Sequence, residues 1–186
     1  MFARSLKAEL DSINALSATE RGVKMTALSA FLKTFTCERD LDIQRFLTDS
    51  AINYDTKHRA RTYLLLEDDL LVGYYTVTIK NIVLRARVPQ KTRAKLTYGM
   101  TDTDTVPAYL IAQIGKNDSF KRPSVIGEIL GLVLGTIERA SAEVGGRVVY
   151  LECKKDNERL HNVYEANGFS FLQDTEKYKQ FVMITK

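Results

Sequence analysis

The stretch VVYLECKKDNERLHNVYEANGF, Val148 to Phe169, decides how the chain is read. Val148-Val149-Tyr150-Leu151-Glu152-Cys153 is short, apolar and rich in β-branched and aromatic residues, the pattern of a buried strand. Asp156 to Asn167 reads as a helix, and Asn167-Gly168 stops it, because glycine takes the left-handed conformation that ends a helix without strain. A hairpin of Phe169–Leu172 and Gln180–Ile184 then closes the chain. Upstream, Ile126, Ile129, Leu130, Val133, Leu134, Ile137 and Ala140 recur at helical spacing from Ser124 until Gly145-Gly146. Before them Pro107-Ala108-Tyr109-Leu110-Ile111-Ala112-Gln113-Ile114 is nearly all apolar, as in a strand covered on both faces. Strand, helix, strand, helix, strand predicts an α/β domain with a parallel element beside antiparallel hairpins.

Further towards the N-terminus the period is helical. Leu6, Leu10, Ile13 and Leu16 fall three and four residues apart, and Met25, Leu28, Leu32 and Phe35 do so again. Asp40 to Tyr54 repeats the pattern, with Asp40 as the expected N-cap. The period then changes to that of an antiparallel hairpin: Thr62–Leu66, a turn at Glu67-Asp68-Asp69, and Leu70–Ile79. Ile82-Val83-Leu84 fits strand or helix, and Lys91–Lys95 reads as an exposed loop.

Composition bounds the function classes. The 186 residues are 45% hydrophobic and 27% charged, values of a globular chain long enough for one domain and against disorder. No apolar run reaches the ~18 residues of a membrane span, and the N-terminal residues lack the apolar core of a secretory signal. The expectation is a soluble, cytoplasmic protein with no membrane partner. Two cysteines, Cys37 and Cys153, and two histidines exclude zinc-finger frameworks and argue against a disulfide scaffold; no metal site is expected. The net charge of +4 is unevenly placed. Lys80, Arg85, Arg87, Lys91, Arg93 and Lys95 stand between Lys80 and Met100 without an acid, leaving −2 for the remainder. Such a segment suits a polyanionic partner or a solvated hairpin.

The junction between the Pro107–Ile114 strand and the following helix offers unpaired N–H groups and the positive helix end, a setting for phosphate. Gly127 and Gly131 there allow either a close backbone approach or tight helix packing. Together with Asn157, Tyr164, Gly168 and Phe169 in the quoted stretch, this resembles the GNAT N-acetyltransferase superfamily, whose later half carries an Asn, seven residues, Tyr, four residues, Gly-Phe arrangement. Gly127, Ile129 and Gly131 align with the family's Gly-x-Gly-x-Gly, with Ile129 at the middle glycine and Ser124 at the usual Gln or Arg. Phe35-Thr36-Cys37, Arg61-Thr62-Tyr63 and Gly73-Tyr74-Tyr75-Thr76 are similar to the toxin-type branch, which acetylates the amino group of aminoacyl-tRNA. The resemblance covers about Phe35 to Ile184. It implies a central mixed, mostly antiparallel sheet with a parallel splayed pair, flanked by helices. It also divides the chain into an N-terminal helical extension, 1–34, and an acetyltransferase domain, 35–186.

The resemblance implies direct transfer from acetyl-CoA to a primary amine. Backbone N–H groups of Ile114, Gly115 and Lys116 would polarise the thioester carbonyl, and Gly127, Ile129, Gly131 and Asn157 would hold the rest of the cofactor. Tyr164 takes the position of the acid that protonates the departing thiolate. Glu152 is the candidate base or water-orienting residue, or else a solvent-facing strand residue. Asn157 suits a helix cap equally well. His161 reads as an exposed surface histidine and Cys153 as a buried inert thiol. Arg85, Arg87 and Arg93 would follow a phosphate backbone, with Tyr98 and Tyr109 placed to stack on a base. The implied partners are acetyl-CoA, tRNA, an antitoxin protein and a second copy of the chain. A protein or small-molecule amine as acceptor, and a non-catalytic GNAT-like binding module, remain the alternatives. If tRNA is the acceptor, charge reversal at Arg85, Arg87 and Arg93 together is expected to abolish tRNA modification in a transfer assay while acetyl-CoA binding persists.

Overall fold

A computed structural model describes residues 1–100, 102–122 and 125–185. Seven strands occur among them: β1 (Phe2–Ser5), β2 (Arg61–Glu67), β3 (Leu70–Val83), β4 (Thr105–Lys116), β5 (Val148–Lys154), β6 (Ser170–Asp174) and β7 (Tyr178–Ile184). They hydrogen bond in the order β1-β2-β3-β4-β5-β7-β6, with β4 and β5 as the parallel pair. This is the expected fold class, a mixed and mostly antiparallel sheet with flanking helices. The chain forms two compact units, Met1–Val77 with Gln113–Ile129, and Thr78–Ala112 with Leu130–Lys186.

In the first unit, α1 (Leu6–Asn14) starts at Ser5, and α2 (Ala18–Leu32) starts with a reciprocal capping box between Ser17 and Glu20. Leu6, Leu10, Ile13, Leu28 and Leu32, the residues at helical spacing, bury against Leu64, Leu66, Leu71 and Tyr74 of the β2–β3 hairpin. The hairpin turns at Asp68 and Asp69, both at positive φ (49° and 61°), the twist that suits a tight antiparallel turn. Ahead of α1 the chain is a strand rather than the start of a helix: β1 pairs antiparallel with β2, Phe2 opposite Leu66 and Ser5 opposite Tyr63. Four residues carry too little alternation to be read locally, and their partner strand is distant in sequence. The single helix expected over 40–54 is also divided. It runs as α3 (Leu41–Arg45), a π-turn (Phe46–Ser50) and α4 (Ala51–Thr56). Tyr74 Oη also donates to the Ile43 carbonyl at 2.6 Å, just ahead of the π-turn. Asp40 holds the N-cap position without a side-chain capping bond.

Two glycines set the packing of this unit. A Cβ on Gly73 would lie 2.6 Å from the carbonyl oxygen of Gly115. One on Gly115 would lie 2.7 Å from both Ile43 and Tyr74 and 2.8 Å from Phe35. Neither position admits a side chain without displacing backbone or several packed groups at once.

In the second unit, β5 is antiparallel to β7 from Val148 opposite Ile184 to Lys154 opposite Tyr178, and β7 is antiparallel to β6. On its other edge β5 meets β4 only at Tyr109↔Val149 and Leu110↔Tyr150. The pairing stops there, although β5 keeps its β7 partner for four more residues. The helix α6 (Val125–Val144) supplies Leu130, Val133 and Ile137 to the interior of this unit, and Val125 and Ile129 belong to the first. Ser124, read as the helix opening, lies outside the described residues. Gly145 and Gly146 follow α6 at φ 77° and 85°, as a glycine stop requires. The helix α7 (Glu158–Ala166) is shorter at both ends than its sequence pattern. The basic segment differs more. β3 continues to Val83, and 91–95 is not a loop but part of α5 (Gln90–Leu96), which follows Pro89 and buries Leu96 beside Ile82, Leu84 and Val88. Its apolar face is too short to show a period among three cationic side chains.

Replacing Gly73 by Ala is expected to destabilise the protein by about 2–3 kcal/mol, the cost of overpacking against backbone. Chemical denaturation of the variant beside wild type measures it.

Candidate active site

Alternation along β5 sends Tyr150 and Glu152 to one face, and Leu151 and Cys153 to the other. The second face carries α7. There Tyr164 is 6% exposed, with its ring 5.9 Å from that of Phe181 and 6.2 Å from that of Phe169. Burial, with a smaller contribution from Cys153 nearby, pushes the phenol well above its ordinary pKa, so it stays protonated at any physiological pH. Its hydroxyl makes no hydrogen bond among the described residues.

Asn157 caps α7, its Oδ1 accepting the Leu160 N–H at 3.3 Å, so the capping role expected of it is realised. His161 is not the exposed histidine that its sequence context predicts; it is 5% exposed. It lies three residues before Tyr164, so the face that buries one buries the other. Its Nε2 sits 2.9 Å from the Lys154 carbonyl, which can only accept, so the proton is on Nε2 and committed there. Cys153 is buried, as expected of an inert thiol.

On the opposite face of β5, Glu152 collects three donors on a single oxygen. Tyr150 Oη donates to Oε1 at 2.5 Å, Gln180 Nε2 at 2.8 Å and Lys80 Nζ at 3.4 Å. Burial alone would raise its pKa, but the bonds from Tyr150 and Gln180 and the Lys80 charge outweigh burial and hold it below the usual carboxylate range. Tyr150 is raised in turn, by burial first and then by its bond to the carboxylate. The network continues away from the carboxylate. Gln173 Nε2 donates to Gln180 Oε1 at 2.7 Å and to the Val83 carbonyl at 2.9 Å, and Gln173 Oε1 accepts the Arg85 N–H at 2.8 Å. Tyr150, Gln173 and Gln180 were not singled out from sequence, and Lys80 was read only as part of the basic segment. The available signal was two glutamines, Gln173 and Gln180, inside otherwise apolar strand runs, where a buried amide needs a partner.

In the first unit the segment leaving β4 is fastened by one amide. Asn117, 2% exposed, donates to the carbonyls of Thr34 at 3.1 Å and Leu71 at 2.8 Å. Its Oδ1 accepts from Thr36 N, Thr36 Oγ1 and Ser119 N, each at 3.2 Å, and its own N–H bonds to Val72 O at 2.9 Å. Asp118 repeats the tie, its N–H bonding Thr36 O and its carboxylate accepting the Glu38 N–H. These bonds fix the backbone immediately after Ile114, Gly115 and Lys116. Ile129 is fully buried, its Cδ1 3.3 Å from the space a Gly73 side chain would take, so its side chain fills the core. Gly127 is half-buried in the first turn of α6, beside Glu128, which pairs with Arg122 at 2.6 Å. Gly131, in the second unit, is exposed, and a Cβ there would meet nothing within 4 Å.

The three arginines placed on a phosphate backbone separate into two kinds. Arg85 and Arg87 are exposed. Arg93 is a structural clamp: it pairs with Asp104 at 2.5 Å and donates to the carbonyls of Leu84 and Arg85, with a side chain 15% exposed. Tyr98 already carries the Arg147 guanidinium 4.6 Å from its ring centroid, and Tyr109 Oη donates to the Gly145 carbonyl at 2.5 Å. Among the described residues no three His, Cys, Asp or Glu side chains gather as for a metal ion, and no helix is long and apolar enough to cross a membrane.

No family model matches the chain, and no curated protein matches it. Solved structures do. The structure of AtaT complexed with acetyl-methionyl-tRNAfMet superimposes with a TM-score of 0.67 at 20% identity, over 83% of this chain and 87% of that one. A tyrosine-to-phenylalanine variant of KacT gives 0.66 at 21% identity, over 83% and 88%. A similar variant of the AtaT toxin, bound to the C-terminus of the antitoxin AtaR and to acetyl-CoA, gives 0.62 at 18% identity, over 83% and 85%. At these identities the likeness is one of fold, and the fold is that of the toxin-type GNAT acetyltransferases, as the sequence resemblance implies.

Arg93→Glu is expected to lower the thermal midpoint by several degrees, because it sets two carboxylates together and removes two backbone ties. Arg85→Glu with Arg87→Glu should leave the midpoint within about a degree, as exposed charges do. Differential scanning calorimetry of the variants compares them.

Proposed function

We propose that the chain is an N-acetyltransferase that moves an acetyl group from acetyl-CoA to a primary amine by direct transfer, with the α-amino group of aminoacyl-tRNA as the leading acceptor. The observation that carries this reading is Tyr164: a buried phenol kept protonated by that burial, whose O–H makes no hydrogen bond among the described residues. In the proposed reaction the neutral amine attacks the thioester carbonyl, the C–S bond breaks, the Tyr164 proton goes to the departing sulfur, and the proton shed by the new amide nitrogen passes to water, from which Tyr164 is reprotonated. Backbone N–H groups at Ile114, Gly115 and Lys116 stabilise the developing oxyanion, and Asn117 holds that backbone in place. The first turn of α6, with Gly127, offers the unpaired N–H groups that take the cofactor phosphates; Ile129 and Gly131 stand deeper in the helix, where ladder bonds use their N–H groups. Asn157 presents the pantetheine arm to α7 while capping it. Glu152, on the other face of β5, belongs to the acceptor side. The likeness to structures holding acetyl-methionyl-tRNAfMet and the antitoxin AtaR supports tRNA and an antitoxin protein as partners; a second copy of the chain, a cytoplasmic setting and residues 1–34 as an N-terminal extension to the acetyltransferase domain of 35–186 belong to the same proposal. Arg85 and Arg87 are the cations proposed to meet the nucleic acid.

Calorimetric titration with acetyl-CoA is expected to show micromolar binding to wild type and to Tyr164→Phe alike. Transfer to charged tRNA by the variant should fall about 10²- to 10³-fold, the usual contribution of one positioned acid. Absence of binding in both proteins overturns the reading in favour of a non-catalytic module. A steep loss of acceptor affinity with rising salt assigns the tRNA, and a flat response assigns a protein or small-molecule amine.

A further inference from the structure

Glu152 is built to hold a cation, and the protein supplies one of its own. Every donor that reaches this carboxylate from the described residues lands on Oε1, and none of them bonds Oε2. The side chain is 30% exposed, so solvent reaches the carboxylate. The scaffold behind it is firm. Tyr150 and Gln180 are 1% and 7% exposed, and Gln173, also 7% exposed, locks the Gln180 amide so that it can only donate towards Glu152. A carboxylate with one oxygen saturated and the other outward is an oriented anion. The same place has an aromatic face: the Tyr150 ring centroid lies 5.2 Å from Lys80 Nζ. Carboxylate and aromatic face together are the chemistry that recognises an ammonium group. The present occupant sits loosely. Lys80 Nζ is 3.4 Å from Oε1, long against about 2.7–2.9 Å for a strong charge-assisted bond, and its side chain is 41% exposed.

We propose that Glu152 and the Tyr150 ring form the subsite that receives the ammonium form of the acceptor amine, and that Lys80 is an internal occupant displaced when the acceptor arrives. This rests on the acetyl-transfer reading for its substrate, and deepens it by naming the group that recognises the amine. Glu152 then acts as an anchor rather than a strong base. The bound ammonium gives up its proton to water before it attacks, and the Lys80 ammonium swings into solvent unchanged. The subsite selects for a primary amine that is cationic at neutral pH, and rejects a neutral group of the same shape, which would leave a desolvated carboxylate unpaired.

The test uses the full chain and methionine amide, a minimal mimic of an aminoacyl ester with a free α-amine. First, the Lys80 side-chain ammonium is followed by 15N-detected NMR as methionine amide is added without acetyl-CoA. A saturable shift is expected in wild type and not in Glu152→Gln; no shift in wild type overturns the proposal. Second, acetyl transfer to methionine amide is measured with acetyl-CoA saturating. Glu152→Gln is expected to raise KM at least tenfold with less than a threefold change in kcat, and Lys80→Met to lower KM severalfold. The double variant should match Glu152→Gln alone, since an occupant matters only while the anchor is present. If Lys80→Met instead raises KM as Glu152→Gln does, Lys80 merely braces the carboxylate and the proposal fails. If the whole effect of Glu152→Gln falls on kcat, Glu152 is a base and the proposal fails. Acetyl-CoA titration separates the two readings: an NMR shift without acetyl-CoA binding sinks the transferase and keeps the cation subsite, and binding without a shift does the reverse.

Discussion

The first unit depends on a contact that forbids side chains. The carbonyl of Gly115 would stand 2.6 Å from any Cβ on Gly73, while Phe35, Ile43 and Tyr74 crowd the Gly115 position itself. The two backbones can approach this closely only because both residues are glycine. Much follows from that approach. Tyr74, next to Gly73, reaches the Ile43 carbonyl ahead of the π-turn, and Ile129 packs beside the space a side chain at Gly73 would take. Asn117, two residues past Gly115, can then gather the carbonyls of Thr34 and Leu71 and the N–H groups of Thr36 and Ser119. A buried amide with every lone pair and proton used is worth little net stability, but replacing it would leave several backbone groups unpaired. The segment after β4 is therefore specified rather than merely tolerated.

The second unit is organised around a charge instead of a void. Tyr150, Gln180 and Lys80 hold Glu152 as an anion in a half-buried place, and Gln173 orients Gln180 for the task. Tyr164, on the reverse of the same strand, is governed by the opposite effect, because burial without a charged partner keeps its proton on. One strand thus separates a group kept ionised from a group kept neutral.

Much of this was legible in the chain. The β5–α7–β6 succession is written in strand-length apolar runs, a 3.6-residue period and Asn167-Gly168, so the resemblance carried by Asn157, Tyr164, Gly168 and Phe169 could be read directly. The π-turn could not be read, because a helical apolar period over 40–54 carries no mark of a single five-residue wide turn. The strand β1 is four residues long and owes its conformation to pairing with β2. The α5 helix looked like a loop because three of its seven residues are cationic and only Leu96 is buried. His161 was misjudged because a polar residue on a half-apolar helix gives no sign of which side of the boundary it falls on; the Lys154 carbonyl decided it.

By itself the sequence determined an α/β class with a parallel element, the order of the elements from β4 onward and the identity of the buried phenol, because these rest on periodicity and on residues close together along the chain. Tertiary structure alone decided the state of the charges. Arg93 became a clamp because Asp104 and two carbonyls came to it, and Glu152 became an oriented anion because residues from β3, β5 and β7 brought their donors to one oxygen. The physical reason is range. Local propensity and hydrophobic period act within a few residues, whereas desolvation, pairing and hydrogen-bond direction depend on neighbours that only folding supplies.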